Sequence, residues 1–227
     1  MKIEFWSDYA CPYCYIGEKR LETAIKDLGI EDQVDLEMRS FELDPNASYD
    51  VVSTTEDRFA KKYRLTNDGA AARIRAIERL GVKEGIDFKY ASTQYTNTMD
   101  AHRLTQYANE VGNKALTNLL FDAYFTKNLE LSNHDVLKDI AAQAGLDADV
   151  VEEILTSNKY EQQVRRDETQ VSLMGVQGVP FFLINGEITI NGAQNVETFK
   201  AALQEAMGNQ DEEDIDMTGM SCGIDGC

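Results

Sequence analysis

Between Tyr15 and Ser221 the chain contains no cysteine; its four stand at positions 11, 14, 222 and 227. With none in the interior, a reducing compartment, where thiol pairs are catalytic or transient, fits the pattern better than a structural disulfide framework. Basic residues are scarce as well: 22 against 40 acids, a formal net charge of −18. That balance makes nucleic acid and anionic membrane surfaces poor partners. No apolar run approaches the length of a membrane span, and Met1-Lys2 leads straight into a strand without the basic and apolar regions of a signal peptide. The expectation from these absences is a cytoplasmic protein with no nucleic-acid or membrane partner. No internal repeat is visible either. At 227 residues the chain can bury a sizeable core, as one large domain or one domain with a substantial insertion.

The most informative stretch is MKIEFWSDYACPYCYIG at the start. Lys2 to Ser7 alternates as a short strand, and Cys11 and Cys14 follow at C-x-x-C spacing around Pro12 and Tyr13. An amphipathic helix then opens, with Ile16, Leu21, Ala24, Ile25 and Leu28 on one face. A dithiol at a helix start suits thiol chemistry, because unpaired N–H groups and the positive end of the helix dipole favour a thiolate. Pro12 fits the first turn, where its missing N–H is not needed. Cys11 is then the expected exposed nucleophile and Cys14, deeper in the turn, the resolving thiol.

After a stop at Gly29, alternation of Val34, Leu36 and Met38 predicts a second strand. Helical patterns follow over Thr55–Arg64, Gly69–Lys83, Asp100–Val111, Lys114–Lys127, Asn133–Ala144, Asp147–Leu155 and Lys159–Met174, with Ser132 or Asn133 as an N-cap. The period of two returns from Pro180 to Ile184 and at Ile188 and Ile190 around an Asn185-Gly186 hairpin turn. A last helix spans Val196 to Met207. The expected fold is α/β: a split β-α-β and β-β-α unit at 1–48 and 175–207, an inserted helical domain at 49–174, and a flexible acidic tail at 208–227.

CPYC between strand and helix, with Gly178-Val179-Pro180 opening a late hairpin, resembles the thioredoxin fold, and the inserted helices resemble its DsbA-like branch. WSDYACPYCYIG, the block from Asn97 to Leu104, GVQGVPFFLIN and Asn191-Gly192-Ala193-Gln194 are similar to the FrnE-like dithiol-disulfide oxidoreductases, over residues 1 to about 207. The resemblance implies that Pro180 is cis and packs against Cys11, that Val179 offers its backbone to substrate, and that His102 faces the active-site cleft. The Pro12-Tyr13 dipeptide matches glutaredoxins, whose potentials lie near about −200 to −230 mV. For Asp8 two readings stand, a base for Cys14 or a solvated loop acid; His134, at a helix start, reads as structural.

The tail carries DEEDID and then a second cysteine pair, Cys222 and Cys227, between glycines. A redox relay to the first pair, a metal clip and an inert tail are the three readings. Taken together, the sequence predicts a dithiol-disulfide oxidoreductase with Cys11, Cys14 and Pro180 at its centre and Pro12, Tyr13, Val179 and His102 around the substrate. Protein or low-molecular-weight thiols and disulfides are the expected partners, with no bound cofactor and glutathione as a candidate co-substrate. The alternatives are a glutathione-dependent isomerase or transferase on the same fold and a zinc-binding module that takes all four cysteines as ligands.

Overall fold

The computed structural model describes residues 1–216, with side chains as far as Gly208. The chain runs β1 (Lys2–Ser7), α1 (Pro12–Leu28) and β2 (Asp35–Ser40). A helical block follows: α2 (Thr55–Tyr63), α3 (Asn67–Lys83), α4 (Met99–Glu110), α5 (Leu116–Phe125), α6 (His134–Gln143), α7 (Ala148–Thr156) and α8 (Glu161–Leu173). It closes with β3 (Phe181–Ile184), β4 (Ile188–Asn191) and α9 (Val196–Asp216). Side chains of Thr54, Thr66, Asn133 and Asp147 cap α2, α3, α6 and α7, each satisfying N–H groups that the first turn leaves open.

The four strands form one sheet in the order β2-β1-β3-β4. β1 is parallel to β2 and antiparallel to β3, with Phe5 opposite Phe182 and Trp6 opposite Phe181. Asn185 and Gly186 both take left-handed backbone (φ 50 and 78°), which the tight β3–β4 hairpin requires and which asparagine and glycine tolerate best. The period of two divides the strand residues. Ile3, Phe5, Phe182 and Ile184 enter the main core with α1 and α9, while Trp6, Phe181 and Leu183 face the other way and meet Val171 of α8. Trp6 also donates its ring N–H to the Asp167 carbonyl on α8, at 2.9 Å.

The helical block and the sheet share one core. Tyr15 of α1 stacks on Phe121 of α5 at 5.0 Å and 6°, and Phe125 of α5 stacks in turn on Phe88 at 4.8 Å and 13°. Such aromatic pairs contribute roughly 0.5–1.5 kcal/mol each beyond their buried area. The last helix of the block, α8, is therefore also the layer that seals the second face of the sheet.

One boundary differs from the sequence reading. Residues 208–216, expected to begin a flexible tail, continue α9 to Asp216. The helix expected to end at Met207 runs on through Gly208, since a single glycine weakens a helix by only about 1 kcal/mol and does not by itself end it.

Candidate active site

β1 ends at Ser7, and the four residues from Asp8 turn the chain into α1. Cys11 is the N-cap, with extended backbone (φ −93°, ψ 111°), and Pro12 is the first helical residue. The Cys11 N–H donates to the Asp8 carbonyl at 3.0 Å and the Cys14 N–H to the Cys11 carbonyl at 3.1 Å, which closes the turn. No side chain caps α1, so its remaining first-turn donors and dipole act on whatever stands at the Cys11 end. The Cys11 thiol donates to the Val179 carbonyl at 3.7 Å. Both cysteines are reduced, and Cys11 is not the exposed thiol expected from the sequence: the Val179 loop covers it to 4% of its surface, and Cys14 keeps none. Burial pushes the Cys14 thiol well up, the adjacent Cys11 adds to the rise, and the Ser7 hydroxyl and Asp8 backbone oppose it.

The Val179–Pro180 bond is cis, as the resemblance implied. Pro180 stands against α1 at Gly17, where a Cβ would lie 3.1 Å from Pro180 Cγ and 3.3 Å from Phe182 Cζ. A helix interior ordinarily prefers alanine over glycine by about 1 kcal/mol. Here forced contact with two rings, costing about 1–3 kcal/mol, outweighs that preference. Gly17→Ala is expected to lower stability by about 1 kcal/mol in urea unfolding, and an unchanged or higher midpoint would show that the Pro180 loop gives way freely.

Asp8 is not the solvated loop acid of the sequence reading. It is buried; Oδ1 accepts from the Ala10 N–H at 3.1 Å and the Thr98 hydroxyl at 3.0 Å, and Oδ2 from the Leu43 N–H at 2.7 Å. These bonds tie the dithiol loop to the segment after β2 and to the start of α4. His102 also departs from expectation. It has no exposed surface and is absent from the cleft wall, standing behind the loop with Nε2 3.6 Å from Asp8 Oδ1 and its ring 5.2 Å from Tyr9. It cannot touch a substrate in this arrangement. His134 caps nothing itself but pairs with Asp100 at 2.9 Å, a structural contact between α6 and α4.

One turn beyond Cys14 on α1, Glu18 is buried with its Oε2 unpartnered. Burial first, and the charge of Glu22 second, push its carboxyl up to about 8 against the opposing charge of Lys19.

Cys11 opens onto a cleft of about 610 Å³. Cys11, Pro12, Tyr13 and Val179 form one side, with Tyr13 43% exposed at the rim; Phe59, Tyr90 and Tyr95 form the other. The structure thus brings together the dithiol and four of the residues singled out in the sequence. It adds Arg58, Lys61 and Lys62 of α2, which the sequence reading passed over. A signal was present: residues 55–83 hold eight of the 22 basic residues and only four acids. Cys222 and Cys227 lie outside the described residues. Among the described residues no cluster of histidine, cysteine and acid side chains is arranged to hold a metal, and no helix is long and apolar enough to cross a membrane.

Residues 2–204 match the model of the DSBA-like thioredoxin domain family. The crystal structure of a probable DsbA oxidoreductase from Streptomyces coelicolor is similar over 100% of this chain and 98% of that one, with 33% identity and a TM-score of 0.87. An uncharacterized protein of Bacillus subtilis is 26% identical over 209 residues, covering 89% of this chain and 96% of its own length. The cytosolic disulfide reductase DsbM from Pseudomonas aeruginosa, crystallised with glutathione, shares the fold at 13% identity and a TM-score of 0.63, over 92% of this chain and all of that one.

Proposed function

We propose, for a chain that belongs to the DSBA-like thioredoxin domain family, the activity of a dithiol-disulfide oxidoreductase working through Cys11 and Cys14. The observation that carries this reading is the placement of the pair: Cys11 at the N-terminal end of α1 on the wall of a cleft, with Cys14 fully buried behind it in the same turn. The Cys11 thiolate attacks one sulfur of a substrate disulfide, whose S–S bond breaks as the first thiolate leaves and takes up a proton. The Cys14 thiolate then attacks Cys11 Sγ in the mixed disulfide and expels the second thiol. The enzyme is left oxidised by two electrons, and the reverse sequence delivers a disulfide. Pro12, Tyr13 and Val179 form the wall along which the substrate lies, and Pro180 sets the position of Val179.

This chemistry needs no bound cofactor. A low-molecular-weight thiol, glutathione among them, returns the oxidised pair to the dithiol in a reducing cytoplasm. The intact Cys11–Cys14 pair supports this reading over a glutathione-dependent isomerase or transferase. Reduction of insulin disulfides, measured beside conjugation of glutathione to an electrophile, is the direct test. Insulin reduction without conjugation is expected; conjugation without disulfide reduction overturns the assignment.

A further inference from the structure

Residues 55–83 hold eight bases to four acids on a chain of net charge −18, and part of that basic stretch reaches the dithiol. Arg58, Lys61 and Lys62 line the Cys11 cleft, and Asp44 is the one acid among the lining residues. At the rim, the Tyr13 phenol, pushed up by burial, feels the opposing charge of Arg73. Arg20, Arg39, Arg103 and Arg165 elsewhere all pair with carboxylates, whereas none of these four cations makes an ion pair among the described residues.

Arg58 is the most telling. Its guanidinium stands 3.6 Å from the centroid of the Tyr95 ring, and its Nη1 is buried without a hydrogen-bond partner. On its buried side Arg58 faces the Tyr124 hydroxyl, a neutral group that Thr93 also approaches, and no carboxylate of the described residues stands there. A cleft-lining guanidinium without an anionic partner suits a carboxylate, the group that its planar fork best completes. The cleft volume falls within the usual range for small-molecule sites, about 300–1,000 Å³.

We propose that this cleft holds a carboxylate subsite centred on Arg58, and that the preferred substrates are low-molecular-weight thiols and disulfides bearing a carboxylate within a few bonds of sulfur. The proposal rests on the oxidoreductase reading and specifies its substrate class. Arg58 receives the carboxylate while Lys61 and Lys62 supply an attractive field at the mouth, in contrast to the acidic remainder of the surface.

The test is a single-turnover measurement on fully reduced protein, which requires no added reductant. Three small disulfides of different charge serve as probes: dithiodipropionate (anionic), hydroxyethyl disulfide (neutral) and cystamine (cationic). Each rate is divided by that of dithiothreitol with the same disulfide, to remove intrinsic reactivity. The normalised rates are expected to fall in that order, with an anionic-to-neutral preference of about tenfold or more that shrinks as salt rises and screening sets in. Arg58→Gln is expected to collapse the preference and Arg58→Lys to retain part of it. Folding of each variant is checked by circular dichroism, and the salt dependence of the unaltered protein stands whether or not a variant folds. Equal normalised rates, or an unchanged ratio in folded Arg58→Gln, overturns the subsite. Failure to reduce any of the three overturns the oxidoreductase reading itself.

Discussion

Cys14→Ser protein, given a disulfide substrate, accumulates as a mixed disulfide through Cys11, while Cys11→Ser loses turnover by a factor on the order of a thousand or more. The asymmetry follows from position. Cys11 is the residue on the cleft wall and Cys14 has no exposed surface, so a substrate sulfur reaches Cys11 first. Removing Cys14 leaves the first exchange intact and deletes only the thiol that breaks the resulting bond. Burial and the neighbouring Cys11 also hold the Cys14 thiol protonated, which keeps it from competing as the first nucleophile. Non-reducing electrophoresis and mass spectrometry of the trapped species check this. Trapping in Cys11→Ser instead, or faster alkylation of Cys14 than of Cys11 near pH 6, reverses the assignment.

Glu18→Gln is expected to stabilise the protein by about 2–4 kcal/mol at pH 7.5 and by close to nothing at pH 4. The folded chain holds the Glu18 proton up to about pH 8, because burial disfavours the carboxylate and Glu22 adds a like charge. Unfolded, the same carboxyl releases its proton near about 4.3. The folded state therefore binds the proton more tightly. The stability linked to this group is fully present below the unfolded value and is lost as pH rises towards the folded value. Glutamine keeps the shape of the neutral acid and cannot ionise, so the difference between the two proteins should open across that window. Urea unfolding of both at several pH values measures it. A constant difference from pH 4 to 8 would mean that Glu18 is ionised and solvated in the folded protein.

The elements that carry the site were legible because their signals are local. The seven helices between α2 and α8 lie within two residues of the ranges that periodicity and the breaks at glycine, asparagine and serine predict. The Asn185-Gly186 turn needed only its two residues. Asp8 was misread for the opposite reason. Its partners, Leu43 N–H and the Thr98 hydroxyl, are 35 and 90 residues away in sequence, and nothing near Asp8 announces them. His102 was placed at the cleft by likeness of a sequence block. Which face of α4 turns inward depends on what packs there, and Tyr9 and Asp8 occupy the place given to substrate. Arg58, Lys61 and Lys62 were visible as charge but not as a site, since only the folding of α2 over Cys11 turns a basic stretch into a wall.

The central position of β1 in the sheet also bears on how the protein is made. On one side β1 pairs with β2, which emerges from the ribosome soon after it; on the other it pairs Ile3 with Ile184, across 181 residues of chain. At roughly 5–20 residues per second, about 10–40 s of translation separate the two strands. For that interval β1 has an open edge carrying Phe5 and Trp6, the kind of edge that recruits foreign strands. Cys11 and Cys14 emerge without the Val179–Pro180 loop that later stands beside Cys11, so the nascent chain exposes a reactive dithiol before it has the fold that governs it. Cells that make this protein therefore carry, on each ribosome translating it, a thiol pair that the folded protein keeps almost wholly out of solvent.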